Sequence, residues 1–185
     1  CAYPRMPAQA GGPALWPDQT AGKDQEIQPE RRTGQEMNTP ESIVSLKDKF
    51  PSITEEANAS CLIVPAPDIK GACKFLKESL GFEQLACISA IDYKDRLALV
   101  YNIFSYKTKE RINLKVFLDK VGPSVESIAP VYPAANWHER EAFDMMGINF
   151  NGHPDLRRIL LPDDWEGYPL RKDYTREGFV PLPPI

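Results

Sequence analysis

The sequence lacks the paired cysteines of a metal site and the long apolar run of a membrane span. Its four cysteines lie at positions 1, 61, 73 and 87, with no CxxC pair and no neighbouring histidine, so no zinc or iron–sulfur motif is present. No apolar run reaches about 18 residues, and the first residues contain no apolar signal-peptide core. We therefore expect reduced thiols and a protein of the cytosol or a similar compartment.

The chain also has little positive charge and none of the common nucleotide motifs. Its 22 basic residues are outnumbered by 26 acidic ones and form no basic stripe, which argues against a nucleic-acid-binding surface. The phosphate-binding loop G-x-x-x-x-G-K-[ST], the dinucleotide turn G-x-G-x-x-G and the nucleophile elbow G-x-S-x-G do not occur. The commonest nucleotide-binding and acyl-transfer functions are therefore not indicated.

The composition separates an N-terminal segment from a globular region. Residues 1–36 contain five prolines, four glycines and few large apolar side chains, and we expect them to be disordered or extraneous. Met37 is an alternative start, although Cys1 followed by a polar segment also resembles a processed lipoprotein. Residues 37–150 have the length and apolar content of one domain with its own core.

Hydrophobic periodicity in residues 37–150 predicts an α+β fold, with helices on one face of a mostly antiparallel sheet. Alternation of apolar and polar side chains in Arg111–Lys120 is typical of a strand with one buried face. Short polar turns on both sides of Arg96–Tyr106 predict a three-stranded antiparallel meander. The expected elements are a helix from Thr39 to Phe50, a strand at 61–64, a helix at 68–80, strands at 82–92, 96–106 and 111–120, a short helix at 124–128 and a helix at 136–147.

Individual residues indicate how two of these helices are built. Cys73 lies on the apolar stripe of the helix at 68–80, so we expect a core thiol rather than a reactive one. Asn136 is expected to cap the last helix, with Glu139 completing a capping box and Gly147 ending the helix.

Residues 151–185 are predicted to form an extended C-terminal docking arm. Prolines at positions 154, 162 and 169 interrupt it, and it ends in the proline-rich sequence VPLPPI. Such a segment cannot form a core alone and needs a surface to lie on, its own or a partner's.

The helix sequence NWHEREAFDMMG concentrates charged side chains and raises the question of catalysis. A zinc-protease helix needs two histidines four residues apart, but Ala142 stands four residues after His138, which excludes that site. Glu141 and Asp144 share a face and could act as acid and base. Alternatively, Arg140 pairs with Asp144 and joins the basic residues of the arm in a network that clamps the arm onto the helix. Residue types favour this clamp.

The remaining candidate residues are assigned structural roles. His153 lies in a turn-forming stretch and is expected to make a structural hydrogen bond. Trp137 and Trp165 are expected to be core or interface anchors. The residues alone therefore indicate a cofactor-free subunit of an assembly, while a stand-alone hydrolase that uses Glu141, Asp144 and His153 stays an alternative.

The charged helix and the arm also resemble a known family. Glu139-Arg140-Glu141, Asp144, Met145-Met146, His153, Arg157 and Ile159 match without a mismatch the signature of the 30 kDa subunit of respiratory complex I, the proton-pumping NADH:quinone oxidoreductase. The later GYPLRKDY is similar to that family's C-terminal arm. The resemblance implies partner contacts by Glu139, Arg140, Glu141, Asp144, His153, Arg157, Arg158, Asp164, Arg171, Lys172 and Asp173.

The resemblance further implies a peripheral-arm subunit with no redox centre of its own. NADH, FMN, iron–sulfur clusters and quinone would be bound by partner subunits, among them a subunit like the large subunit of nickel–iron hydrogenases and the subunit with the terminal iron–sulfur cluster. The chain would meet the cytoplasmic side of the inner membrane only through the complex. Homologous subunits of F420H2 dehydrogenases, of the photosynthetic plastoquinone-reducing complex and of energy-converting hydrogenases stay alternatives, because the electron donor binds elsewhere.

Overall fold

The computed structural model describes residues 41–56 and 61–175. The predicted disordered segment 1–36, the predicted Thr39 cap and the proline-rich tail 180–185 lie outside the described residues. Within the described ranges the α+β prediction is confirmed, because helices cover a mostly antiparallel sheet. None of the helices in these ranges is long and apolar enough to cross a membrane.

In chain order, the elements are α1 (Glu41–Lys49), β1 (Thr54–Glu55), β2 (Cys61–Ile63), a 3-10 turn (Ala66–Asp68), α2 (Ile69–Leu80), β3 (Gln84–Asp92), β4 (Arg96–Phe104), β5 (Arg111–Asp119), β6 (Ser124–Glu126), α3 (Ala135–Met146) and β7 (Asn149–Asn151). Up to β5 and again at α3 the elements follow the predicted order, with strands β1, β6 and β7 in addition.

Helix α2 shows how the apolar spacing produces a packed face. Ile69, Ala72, Cys73 and Leu76 are all buried on one stripe, which confirms Cys73 as a core residue. The helix ends at Gly81, which adopts φ 72° and donates its N–H to the carbonyl of Leu76.

The main sheet has the order β1-β2-β5-β4-β3. Strands β3, β4 and β5 form the predicted antiparallel meander. Strand β2 joins the free edge of β5 in parallel, with Leu62 opposite Leu114, a pairing that requires a crossover and that local sequence did not reveal. Tyr101 and Leu114 face each other on the side that the helices cover, where the core lies.

The predicted short helix at 124–128 is wrong. Residues Ser124–Glu126 instead form strand β6, which pairs in parallel with β7 and places Val125 opposite Phe150. Both side chains are buried. Burial of this apolar pair favours an extended backbone here over the weak local helical preference.

The predicted start of the last helix is also wrong. Helix α3 begins at Ala135, and Ala134 occupies the cap position without a side-chain hydrogen bond. Glu139 does not reach back to form a capping box, because its carboxylate binds residues that follow β6. The predicted end is confirmed, since Gly147 has φ 69° and donates its N–H to the carbonyl of Phe143.

Candidate functional site

The arm lies against helix α3 without forming a helix or strand of its own between Gly152 and Thr175. Its attachments use polar groups: side chains of α3 bind the backbone of the arm, and arginines of the arm bind the carbonyls at the end of α3. We call the set of these attachments the arm clamp. Four of the charged residues that the sequence singled out contribute their side chains to it, namely Arg140, Asp144, Arg158 and Arg171.

Asp144 is the centre of the arm clamp. Its Oδ1 accepts a hydrogen bond of 2.7 Å from Nη1 of Arg158, and its Oδ2 accepts the backbone N–H groups of Ile159, Leu160 and Leu161 at 3.1, 2.8 and 3.0 Å. Burial acts to raise the pKa of this carboxyl, but the three N–H groups and Arg158 outweigh it and lower the pKa. Asp144 is therefore held as a carboxylate.

The predicted pairing of Arg140 with Asp144 is wrong, because Arg158 takes that place. Arg158 also donates to the carbonyls of Trp165 and Gly167, so it ties three points of the arm together. Arg140 instead donates through Nε to the carbonyl of Arg157 at 3.2 Å and through Nη2 to that of Arg158 at 3.5 Å.

A second part of the arm clamp lies at the end of α3. Arg171 donates through Nε to the carbonyl of Met146 at 2.6 Å, and Leu170 donates its N–H to the carbonyl of Met145 at 3.2 Å. The N–H of Lys172 donates to Oδ2 of Asp92 at 2.7 Å. Asp92 is buried and also pairs with Lys120 at 2.9 Å, so it connects the arm to the sheet.

The ring of Tyr168 packs directly against Gly147, the glycine that ends α3. A Cβ built on Gly147 would lie closer to three ring atoms of Tyr168 than real Cβ atoms approach other atoms. The guanidinium groups of Arg158 and Arg171 lie 5.6 and 5.2 Å from the centre of the same ring. Gly147 is thus required both by its positive φ and by the close approach of the arm.

Glu139 and His153 form a buried pair near the start of the arm. The carboxylate of Glu139 accepts from Oγ of Ser127 at 2.6 Å and from the N–H of Ile128 at 2.8 Å. Burial raises the pKa of Glu139, although these hydrogen bonds act in the opposite direction. Nε2 of His153 lies 3.9 Å from Oε2 of Glu139, and both side chains are fully buried.

The hydrogen bonds of His153 match the structural role that its turn predicted. Its Nδ1 accepts the N–H of Asp155 at 3.0 Å, and its Nε2 lies 3.2 Å from the carbonyl of Asn136. Because Nδ1 accepts an N–H, Nε2 is the ring nitrogen that can donate to the carbonyl of Asn136.

The side chains of the other predicted site residues lie outside these clusters. Glu141 is exposed and borders a cavity of about 190 Å³ between α3 and β3. The guanidinium of Arg157 pairs with exposed Asp155 at 3.0 Å. Asp164 and Asp173 are exposed, as is Lys172, which contributes its backbone N–H to the clamp.

The geometry does not assemble an acid–base site from the residues of the hydrolase alternative. Both oxygens of Asp144 are occupied, Glu141 is exposed, and His153 is buried beside Glu139. An ionised carboxylate with a lowered pKa is also a poor general acid near neutral pH. Across residues 41–56 and 61–175, no group of three or more His, Cys, Asp or Glu side chains is placed to hold a metal ion.

Sequence analysis missed three residues that the clamp and the buried pair depend on. Asp92 and Lys120 end or follow strands, and Ser127 follows β6, each far along the chain from its partner. No local pattern marks them, because an isolated acid at the end of a strand is common. The cue that existed was the cluster of arginines in the arm, which required acceptors elsewhere.

Comparisons with known proteins agree on one family. The profile of the respiratory-chain NADH dehydrogenase 30 Kd subunit matches residues 62–180. The equivalent NADH-quinone oxidoreductase subunit of Geobacter metallireducens is 40% identical over 148 residues, which cover 76% of this chain and 91% of that protein. The equivalent F(420)H(2) dehydrogenase subunit of Methanosarcina mazei is 43% identical over 145 residues, or 74% of this chain and 90% of that one.

A solved structure also matches. In the membrane-bound sulfane sulfur reductase, an archaeal respiratory membrane complex, one chain superposes with a TM-score of 0.64. It is 26% identical, and the match covers 73% of this chain and 84% of that chain.

Proposed function

The chain belongs to the family of the 30 kDa subunit of respiratory-chain NADH dehydrogenase, and we propose that it scaffolds the quinone-reducing module of such a complex. It is a complex I-type subunit, similar to members of NADH-quinone oxidoreductase and F420H2 dehydrogenase. Its contribution to electron transfer from NADH to quinone, coupled to proton translocation, is to hold catalytic subunits in place.

The observation that carries this proposal is where the signature residues lie. Asp144 and Arg140 hold the backbone of the arm, and Glu139 holds the segment after β6. Charged residues that a catalytic site would direct at a substrate are here directed at the protein's own backbone. Rigid presentation of an arm suits a scaffold, because an ordered surface loses less conformational entropy when a partner binds.

We further propose that the redox groups lie in other subunits. NADH, FMN, iron–sulfur clusters and quinone would be bound by partners, which include the hydrogenase-like subunit and the terminal iron–sulfur subunit. The chain would contribute no reaction step of its own. It would sit at the cytoplasmic face of the membrane and reach the membrane only through the complex.

The relatives of this chain belong to complexes with different electron donors. Identity to the F420H2 dehydrogenase subunit of Methanosarcina mazei, 43%, lies between the 40% and 45% identity to the NADH-quinone oxidoreductase subunits of Geobacter metallireducens and Moorella thermoacetica. NADH is proposed as the donor, with F420H2 as the alternative. The two differ in a subunit other than this one, so the choice does not alter the scaffolding role.

Purification of the assembly tests the proposed function. An affinity tag at residue 1, outside the clamp, would be used to isolate the chain from detergent-solubilised native membranes. We expect co-purified subunits with iron–sulfur clusters, and quinone reduction by NADH or by reduced F420. A chain that purifies alone from membranes and cytosol would contradict the proposal. Ester or phosphate hydrolysis by the isolated chain would contradict it too, if the Asp144→Asn substitution abolishes that hydrolysis while circular dichroism shows that the variant is still folded.

A further inference from the structure

Two guanidinium groups of the arm clamp differ in whether a carboxylate neutralises their charge. Arg158 is neutralised by Asp144 at 2.7 Å. Arg140 is only 7% exposed, yet its described hydrogen-bond partners are two neutral backbone carbonyls. No carboxylate in residues 41–56 or 61–175 lies within ion-pair distance of Arg140. A guanidinium removed from water without a counter-charge is unfavourable, so this cation lacks the partner that its burial calls for.

Two exposed apolar side chains, Trp137 and Leu160, lie near the buried Arg140. Its guanidinium carbon lies 5.0 Å from the centre of the Trp137 ring, and the Trp137 side chain is 63% exposed. Trp137, Arg140 and Asp144 are three and four residues apart along α3, so they share one stripe of the helix. Leu160, whose N–H binds Asp144, is 62% exposed beside that stripe.

We propose that Trp137, Arg140 and Leu160 form a docking surface, the Arg140 surface, for an apolar segment of a partner protein that carries an Asp or Glu. The carboxylate would approach the guanidinium of Arg140 while apolar side chains cover Trp137 and Leu160. Tryptophan and arginine are the residues that most often dominate the energy of protein interfaces, and a guanidinium binds a carboxylate through paired N–H groups. This inference rests on the proposed function, because it needs another subunit of the complex.

Two features favour a partner protein over other occupants. The bulky apolar side chains flank a single cation, whereas an anionic membrane surface is typically bound by several lysines and arginines. The surface also continues directly into the arm, which the proposed function already assigns to docking. A second copy of this chain, or Glu177 in the tail outside the described residues, are occupants that the experiment distinguishes.

The Trp137→Glu substitution tests the Arg140 surface within the native complex. In the free chain the new carboxylate can pair with Arg140, so we expect the variant to fold and to unfold at the wild-type temperature. In the complex it removes the apolar contact and repels the partner's carboxylate. We expect the amount of partner subunits that co-purify with the tagged chain to fall about tenfold or more.

Val121→Glu is the matched control, because Val121 is 92% exposed in the turn between β5 and β6. It adds the same charge and removes an exposed apolar side chain, and wild-type assembly is expected. An equal loss of co-purified partner subunits with both variants would overturn the proposal that the Arg140 surface is a specific docking site. Full assembly of Trp137→Glu would also overturn it while leaving the proposed function intact, whereas absence of partners from the wild-type preparation would refute the proposed function.

A photo-reactive benzophenone side chain at position 137 identifies the occupant. We expect a cross-link in the native complex to another subunit, within a peptide that contains Asp or Glu. Cross-links confined to residues 176–185 of the same chain, or to a second copy, would overturn the proposal. A Glu177→Gln variant that frees position 137 for other cross-links would assign the surface to the tail.

Discussion

Asp144 and Arg158, fourteen residues apart in the chain, form an ion pair with 2.7 Å between Oδ1 and Nη1, and the pair is almost completely shielded from water. The same carboxylate receives three consecutive backbone N–H groups of the arm through its second oxygen. One side chain of α3 therefore determines the path of the arm from Arg158 to Leu161. The arm is attached to its own domain before any partner is considered.

The first prediction is that the Asp144→Asn substitution destabilises the chain strongly. Asparagine has one carbonyl oxygen, so either Arg158 or the three N–H groups would face an NH₂ group instead of an acceptor. Loss of one member of a buried ion pair typically costs about 3–5 kcal/mol. Urea unfolding, followed by circular dichroism, measures this as a lower midpoint with an unchanged slope.

Asp155→Asn is the control for Asp144→Asn. Asp155 pairs with Arg157, and their side chains are 52% and 70% exposed. An exposed pair contributes about 0–1 kcal/mol, so this variant should unfold close to the wild type. Similar losses for both variants would mean that the buried pair does not hold the arm.

The second prediction concerns the glycine beneath Tyr168. Gly147→Ala forces an L side chain to φ 69° and places a methyl group against the Tyr168 ring. Gly81→Ala is matched to it, since Gly81 has φ 72° with nothing within 4 Å of a built Cβ. The backbone term is about 1–2 kcal/mol for each variant. We expect Gly147→Ala to lose more stability than Gly81→Ala, and the two unfolding temperatures measure the difference.

The excess loss in Gly147→Ala can be traced to the ring by a double-mutant cycle. In the Tyr168→Ala background the methyl group meets no ring, so Gly147→Ala should cost about as much as Gly81→Ala. The coupling energy expected for such neighbours is roughly 0.5–3 kcal/mol. Additive effects would show that Tyr168 does not rest on Gly147.

Sequence patterns predicted the elements whose stability is local. Alternation marked β5, apolar spacing marked α2, and Gly147 marked the end of α3, because each of these features depends on residues within one or two turns. The clamp was also anticipated as a network between helix and arm. Its general character followed from the density of opposite charges in a proline-rich segment.

The pairing inside the clamp was not predictable, and Arg140 shows why. Helical spacing allows Arg140 to reach Asp144, but the path of the arm brings Arg158 to that carboxylate and uses Arg140 for carbonyls. Asp92 meets the N–H of Lys172 across 80 residues of chain. Such contacts are decided by how the sheet and the arm pack, which no local spacing encodes. The same holds for Glu139, whose capping-box spacing was overridden by Ser127 and Ile128.

The third prediction is a pH-dependent effect of Glu139→Gln. Burial raises the pKa of Glu139 in the folded chain above its unfolded value of about 4.3. The contribution of Glu139 to the stability of the wild type is therefore fully present below pH about 4.3 and is lost as pH rises through the folded pKa. The glutamine does not ionise, and its carbonyl can still accept from Ile128. The free energy of unfolding of the variant, relative to that of the wild type, should therefore increase with rising pH.

Urea unfolding at a series of pH values from about 4 to 8 measures this gain. The expected gain is about 1.4 kcal/mol for each unit by which the folded pKa exceeds the unfolded one. Asp144 gives the opposite sign, because its folded pKa is lowered: its contribution is present above pH about 3.9 and is lost as pH falls through the folded pKa. A stability difference between wild type and Glu139→Gln that does not change with pH would contradict the raised pKa of the buried carboxyl.

The fourth prediction is that part of the arm is ordered in the free subunit. The N–H groups of Ile159, Leu160 and Leu161 donate to Asp144 and should exchange slowly with deuterium, whereas those of exposed Asp163 and Asp164 should exchange fast. In Asp144→Asn the first three amides should exchange as fast as those of Asp163 and Asp164, whereas the amides of strand β4 should stay much better protected, at a level set by the lowered global stability. If residues 159–161 exchange as fast as 163 and 164 in the free chain, and slow down only in the complex, then a partner orders the arm and the clamp forms upon assembly. Slow exchange in both states would instead mean that the chain offers its partners a surface already shaped by Asp144.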